Sequence, residues 1–249
     1  MKHFSKLTFI AVGILLSSLF LQSCLDNDDN DIALYYPNAL VTVKHAADST
    51  LYLQLDAETT LLPKNLTNSP FGNKEVRALV NFSELNEDSK EYTKAVHINW
   101  IDSILTKKPV PFSEDLEIDK IYGTDPVEIV NDWVTIAEDS YLTLRFRTQW
   151  GYTHKPHFVN LISGVNPENP YELEFRHNAY GDIYGRSGDA LVAFSLKDLP
   201  DTKGKTVKLK LTWMSYSGKK SVEFDYSTNK ATNGSLSLQN ENNFIQAIK

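Results

Sequence analysis

The side chains best suited to chemistry lie in the second half of the chain. His154-Lys155-Pro156-His157 holds the closest pair of histidines, and His177, Asp182 and Asp189 follow. Imidazole and carboxylate together suit zinc, which wants three or four ligands. On a strand, a spacing of three turns the two rings to opposite faces, although Pro156 can reshape the turn. Metal binding therefore requires the loops carrying His177, Asp182 and Asp189 to converge; the plainer reading is a loop pair packed on aromatic rings. Gly185-Arg186-Ser187-Gly188 offers a hydroxyl, but nucleophilic hydrolysis needs a histidine base beside it. The chain has no Gly-x-Ser-x-Gly elbow, and no Gly-Lys-Ser/Thr follows to cradle phosphate. That segment reads as a hairpin turn in which glycine supplies positive φ. Glu172 and Glu174 stand ~7 Å apart on one strand face at ~3.3 Å rise per residue, inside the range of an inverting glycosidase pair. Glu138 and Asp139 are a second carboxylate pair, but the alternation of Glu172 and Glu174 with Leu173 and Phe175 marks a solvated face instead. Catalytic, cofactor and metal residues are accordingly expected to be none.

A binding patch has more support. Arg145 and Arg147 share one strand face opposite Leu144 and Phe146, and Arg176 and His177 lie further on. Trp150, Tyr152, Tyr180 and Tyr184 are close in sequence, so a polar-aromatic surface is within reach. Planar guanidinium recognises carboxylate well, and Arg and Tyr favour interfaces. The competing expectation is that these arginines form cross-strand ion pairs with Glu172 or Glu174.

The elements that would carry these residues are strands. Leu51, Leu53 and Leu55 alternate with polar neighbours, as do Leu142, Leu144 and Phe146, then Leu173 and Phe175. Val207, Leu209, Leu211 and Trp213 do the same, followed by Val222, Phe224 and Tyr226. A period of two with one apolar side predicts half-buried antiparallel strands. Clusters such as Asn166-Pro167-Glu168-Asn169-Pro170, Lys203-Gly204 and Ser217-Gly218 separate them as turns. Ser195–Leu199 is expected to make one helical turn, stopped by Pro200. The breaker-rich stretch Pro109–Asp125 divides the chain. The expected fold is all-β: a small barrel of about five short strands over residues 36–122, then a β-sandwich over 123–228, with a flexible tail at 229–249.

Composition narrows the function. Apolar residues make up 41% and charged residues 23%, as in ordinary globular chains. The 4 Trp, 12 Tyr and 12 Phe are enough to stabilise packed cores without disulfides. A formal net charge of −7 excludes a general nucleic-acid binder, which needs Lys and Arg against phosphate.

The first residues read as an address. Lys2 and Lys6 precede the apolar stretch Leu7–Leu21, and the only cysteine, Cys24, closes Leu21-Gln22-Ser23-Cys24. The stretch is shorter than the ~20 residues of a spanning helix. Residues 1–23 resemble a bacterial lipoprotein signal, which implies acylation of Cys24. Several long acyl chains hold a protein at a membrane almost irreversibly. Residues 24–35 then form an acidic tether, too like-charged to pack. Acidic residues just after the acylated cysteine are similar to the surface-export signal of Bacteroidetes lipoproteins. An outer-membrane, lipid-anchored position follows, facing the cell surface, with a periplasmic-facing body as the alternative.

Several segments in order resemble one family. They are Asp125–Ile136, Leu142–Arg147, His157–Leu161, Asn166–Ala179 with its Glu174-Phe175-Arg176-His177-Asn178-Ala179, and Leu199–Leu209. Together they are similar to the NigD-like lipoproteins of Bacteroidetes over residues 36–226. The resemblance implies an N-terminal OB-like barrel and a C-terminal sandwich, and no catalytic residues. The expectation is a non-enzymatic binding or interaction module without cofactors, held at the membrane by lipid. Its partner would be an envelope protein or a glycan, not nucleic acid. The alternative is an immunity or structural role tied to a bacteriocin operon.

Overall fold

Alternating side chains give the first half five strands that close on themselves. In the computed structural model they are β1 (Ala39–His45), β2 (Leu51–Gln54), β3 (Thr60–Pro63), β4 (Val76–Leu85) and β5 (Lys94–Ser103). Their order around the barrel is β1-β2-β3-β5-β4, with β4 returning to β1. All joins are antiparallel except β3 with β5. Val41, Val43, Leu53, Leu61, Val80 and Val96 fill the interior, and closure leaves no long unpaired edge. The register shifts between Asn81 and Phe82 opposite Asn99, whose amide donates to Asn81 Oδ1 at 2.7 Å. That bulge bends the long β4–β5 ribbon around the barrel.

The structure describes residues 34–115, 117–153, 155–228 and 248. The expected signal segment 1–23, Cys24, the expected tether to residue 33 and the tail residues 229–247 and 249 lie outside the described residues.

Two sheets form the sandwich. One runs β6 (Leu105–Lys107), β13 (Arg186–Ser195), β10 (Tyr141–Trp150), β8 (Glu128–Ile129), with β9 (Ile136–Glu138) also on β10. The other runs β15 (Gly218–Tyr226), β14 (Val207–Ser215), β12 (Glu172–Asn178), β11 (Phe158–Ser163), β7 (Val110–Pro111). Leu142, Leu144 and Phe146 of β10 meet Leu161, Leu173, Phe175, Leu209 and Leu211 of the facing sheet. Phe146 and Phe175 lie 5.3 Å apart by ring centroid. Each such fully buried side chain contributes roughly 1.5–3 kcal/mol. The all-β architecture expected from the alternation is what forms. Three joins are parallel: β6 with β13, β7 with β11, and β12 with β14.

Four local readings need correction. Residues 105–122, placed with the barrel, already supply β6 and β7 to the two sandwich sheets. Strands of two or three residues are too short to show a period, so the prolines dominate the text. The short helix α1 is Ile118–Tyr122, in the stretch read as a divider. Ser195–Leu199 instead ends β13 and makes a turn, with Leu199 N–H donating to Leu196 O. Arg186-Ser187-Gly188 is not a hairpin turn either. It pairs along β10, Arg186 opposite Trp150 and Gly188 opposite Thr148.

Barrel and sandwich belong to one unit, Tyr36–Lys249. Leu40, Leu79, Ile104, Val134 and Ala193 form a third apolar cluster, with Trp100, Trp133, Ile136 and Leu191 against it. The barrel therefore covers part of the outer face of the β10–β13 sheet. Beside this cluster the fully buried Arg77 of β4 pairs with Glu138 of β9. Its guanidinium also donates to Thr42 Oγ1 at 2.9 Å and Thr143 Oγ1 at 3.3 Å. Burial raises the Glu138 pKa, with Arg77 pulling the other way.

Candidate functional site

The registers bring two loops to one end of the sandwich. Trp150, the last residue of β10, lies opposite Arg186, the first of β13. Phe158, the first of β11, lies opposite Asn178, the last of β12. The loops 151–157 and 179–185 thus cross between the sheets at the same end. Gly151 N–H donates to both Asp182 O and Asp182 Oδ2 at 3.1 Å, and Thr153 N–H donates to Asp182 Oδ1 at 3.0 Å. One buried carboxylate therefore ties the loops together. Burial works against its charge, but these donors, led by Thr153, hold the Asp182 pKa below its usual value. Two glycines permit the contact. A Cβ on Gly151 would meet Asp182 Oδ1 at 2.1 Å, and one on Gly185 would meet Trp150 O at 1.8 Å.

Beneath the loops sits a buried aromatic stack. The Trp150 ring lies on the His157 ring at 4.3 Å, and Trp150 Nε1–H donates to Gly188 O. His157 Nδ1 is 2.9 Å from His177 Nε2, and His177 Nδ1 is 3.3 Å from Asp125 O. A carbonyl only accepts, so His177 carries its proton on Nδ1 and His157 donates from its own Nδ1. His157 Nε2 then faces Asp182 Oδ2 across 3.6 Å, too far for a hydrogen bond. Burial lowers the pKa of both rings, that of His177 to about 4. His177 is 1% exposed and His157 fully buried, so neither ring reaches a substrate from this position. Ile248 forms a parallel bridge with His157, which places that residue of the tail beside the stack.

The outer side of the same loops is aromatic and open. Tyr152 is 76% exposed and Tyr184 81%, with Tyr180 and Ile183 also at the surface. Tyr180 has φ 52° and is followed by Gly181 at φ 82°. Asn178 Oδ1 accepts from Tyr180 N–H at 2.9 Å and steadies that left-handed turn. The Lys155 ammonium lies 4.0 Å from the centre of the Tyr180 ring.

The expected arginine patch is not one surface. Arg145 and Arg147 stand on the outer face of one sheet, Arg176 on the outer face of the other, and His177 points inward. Arg147 holds Asp189 through Nε at 2.5 Å and Nη2 at 3.0 Å. Arg145 bridges Asp189 at 2.6 Å and Asp132 at 2.5 Å. Burial opposes the Asp189 charge, yet Arg147 and Arg145 bring its pKa down. Arg176 joins Asp119 at 2.6 Å and Glu174 at 3.2 Å. Glu172 pairs with Lys210, and Asp139 with Lys44. A cleft of about 440 Å³ beside α1 is lined by Phe112, Ile118 and Arg176 among Glu114, Glu117 and Asp119.

Of the metal candidates, His157, His177 and Asp182 come together in the buried stack, but the two rings are engaged with each other and Asp189 stands apart. His154 lies outside the described residues, and Asp189 is engaged by arginines on the outer face. Among the described residues no group of three or more His, Cys, Asp or Glu is arranged to hold a metal ion. Sequence reasoning missed the tie made by Asp182 and the anchoring by Asp125, whose Oδ2 accepts from Ala179 N–H at 2.7 Å. It also missed Lys107, which donates to Val159 O at 2.7 Å and Asn160 Oδ1 at 2.9 Å. Burial draws the Lys107 pKa down to about 8.

Comparison with known proteins matches this architecture. Residues 40–104 fit the NigD-like N-terminal OB domain and residues 108–226 the NigD-like C-terminal β-sandwich domain. A Parabacteroides distasonis protein provisionally described as toxin related is 38% identical, with TM-score 0.65, covering 76% of this chain and 92% of its own. A NigD-like immunity protein from Bacteroides caccae is 21% identical, with TM-score 0.55, covering 78% and 99%. A Bacteroides fragilis protein provisionally described as a lipoprotein is 14% identical, also with TM-score 0.55, covering 76% and 97%. The last two share the fold. Among the curated proteins, none matches the chain.

Proposed function

The chain belongs to the NigD-like family, and from that premise we propose that it is a lipid-anchored envelope protein that works by binding rather than by catalysis. The observation that carries the binding reading is the loop end of the sandwich. There, exposed Tyr152 and Tyr184 stand on loops fixed from below by Asp182. Rigid exposed aromatics are the residues that binding surfaces favour. The groups suited to chemistry are engaged internally: His157 with His177, and Arg145 and Arg147 with Asp189.

Anchoring rests on the lipoprotein-like Leu21-Gln22-Ser23-Cys24, and the likeness to a fold relative described as a lipoprotein supports it. The acidic residues after Cys24 support an outer-membrane, surface-facing body. Metabolic labelling with a clickable fatty acid tests the anchor: label should enter the wild type and not Cys24→Ser. Protease treatment of intact cells tests the orientation, and a protein untouched by protease would remove the surface assignment.

The second reading is an immunity role. It is favoured by a fold relative named an immunity protein and a 38% identical relative described as toxin related. Cells carrying the gene should then survive a cognate bacteriocin that kills cells lacking it.

A further inference from the structure

We infer that the tyrosine-bearing loop end docks a protein partner that presents carboxylates beside apolar side chains. This rests on the binding reading above and names the partner. The first support is shape. Tyr152 flanks the two amides that Asp182 holds, and Ile183 and Tyr184 directly follow Asp182, so the exposed rings stand on one tied platform. Tyr side chains lose little entropy on contact, and Tyr with Gly, Ser and Arg is the mix that antibody loops use. Tyr180-Gly181, Tyr184-Gly185-Arg186-Ser187 and Tyr152-Thr153 reproduce that mix at the same end of a β-sandwich.

The second support is charge. Lys155 and Arg186 are both exposed, and neither has an ion pair among the described residues. The carboxylate of these loops, Asp182, is buried and occupied by backbone donors. Most other cations of the sandwich are paired, as with Arg145, Arg147, Arg176, Lys208, Lys210 and Lys220. Lys203 and Lys205, in the turn at the opposite end, are exposed and share with Lys155 and Arg186 the lack of an ion pair among the described residues. An aromatic face that carries Arg186, and Lys155 against the Tyr180 ring, with no carboxylate paired to either among the described residues, on a chain of net charge −7, is complementary to an acidic, partly apolar surface. A neutral sugar would use the rings but offer no counter-charge to Arg186 or Lys155, which favours protein over glycan.

The test selects a displayed library of random peptides on the full chain in detergent. Enriched peptides should combine Asp or Glu with aromatic or aliphatic residues. Tyr184→Ser and Arg186→Glu should each weaken the best peptide about tenfold or more. Lys203→Glu, in the loop at the opposite end of the sandwich, should leave it unchanged. Changing the peptide's Glu to Lys should restore binding to Arg186→Glu. The substituted residues are exposed, so unchanged thermal melting certifies each variant. Three results overturn the inference: no enriched peptide, peptides without acidic residues, or binding indifferent to both variants. Binding on a glycan array that Tyr184→Ser abolishes would replace protein by carbohydrate while keeping the binding reading. Self-association that Arg186→Glu abolishes would make the occupant a second copy. The envelope reading fails separately, if Cys24 takes up no fatty acid.

Discussion

His157 and His177 are joined ring to ring, Nδ1 of the first 2.9 Å from Nε2 of the second, beneath the loops that display the tyrosines. This arrangement needs a neutral His177, because its Nε2 must accept. Burial lowers the His177 pKa to about 4 from an ordinary 6.5, and lowers that of His157 in the same direction. Below pH 6.5 the unfolded chain therefore binds protons that the folded chain refuses. Stability should fall as pH drops from 6.5 to about 4, by roughly 3 kcal/mol for His177. Urea midpoints at pH 7 and pH 4.5 measure the slope. His177→Gln keeps an acceptor for His157 and a donor for Asp125 but cannot titrate, so its midpoint should vary less with pH. An equal slope in that variant would place the titrating group elsewhere.

The Arg77–Glu138 pair makes barrel and sandwich dependent on each other. Arg77→Met would leave the Glu138 charge buried without its partner, at a cost of about 3–5 kcal/mol. Arg77→Met with Glu138→Leu should recover much of that loss, because no charge then stays buried. In the wild type, tryptophan fluorescence and far-ultraviolet circular dichroism should trace one urea transition. Trp100 and Trp133 pack at the joint between the two halves, so separate unfolding of the barrel would split the two signals. If Arg77→Met matched the wild type in midpoint, the pair would carry no coupling.

The strands that cover one core were legible because their outer faces are wet. Leu173 and Phe175 of β12 alternate with Glu172 and Glu174, and the pattern states its own period. Strand β13 was harder to see. Leu191 and Ala193 face the barrel while Ala190, Val192 and Phe194 face the other sheet, so Ala190–Phe194 reads as a continuous apolar run. Its first residues, with two glycines nearby, read as a turn for the same reason. The arginine patch failed on pairing. Arg145 and Arg147 sit opposite β13, where register supplies Asp189, and the residues around Asp189 carry no alternation that marks them as a strand. Tyr152, Tyr180 and Tyr184 were visible as residues, but only the registers of β10 with β13 and of β11 with β12 show that their loops share an end.

Asp182 is the tie between those loops, and backbone exchange should report it directly. Asp182→Ala removes the acceptor for Gly151 and Thr153 N–H. Hydrogen exchange at these two amides should speed up markedly, while amides in the middle of β10 keep their protection. Asp182→Asn retains one acceptor oxygen and should give an intermediate rate. Unchanged exchange at Gly151 in the alanine variant would mean that the loops are held by their backbone contacts alone.

Gly185 offers the sharpest test of how closely the two loops approach. An alanine Cβ there would lie 1.8 Å from Trp150 O and 2.9 Å from Gly151 Cα, both backbone atoms that cannot swing aside. Gly185→Ala must push the loop 179–185 off the end of β10, breaking the Asp182 contacts that follow. Overpacking of this kind costs about 1–3 kcal/mol, occasionally more. Gly204→Ala is the control: its φ is 76°, but nothing lies within 4 Å of the added atom, so only the backbone strain of roughly 1–2 kcal/mol applies. Urea midpoints rank the two, and exchange at Gly151 and Thr153 separates them, because only Gly185→Ala should loosen those amides. Equal exchange in both variants would show that the loops tolerate the extra methyl group without moving apart.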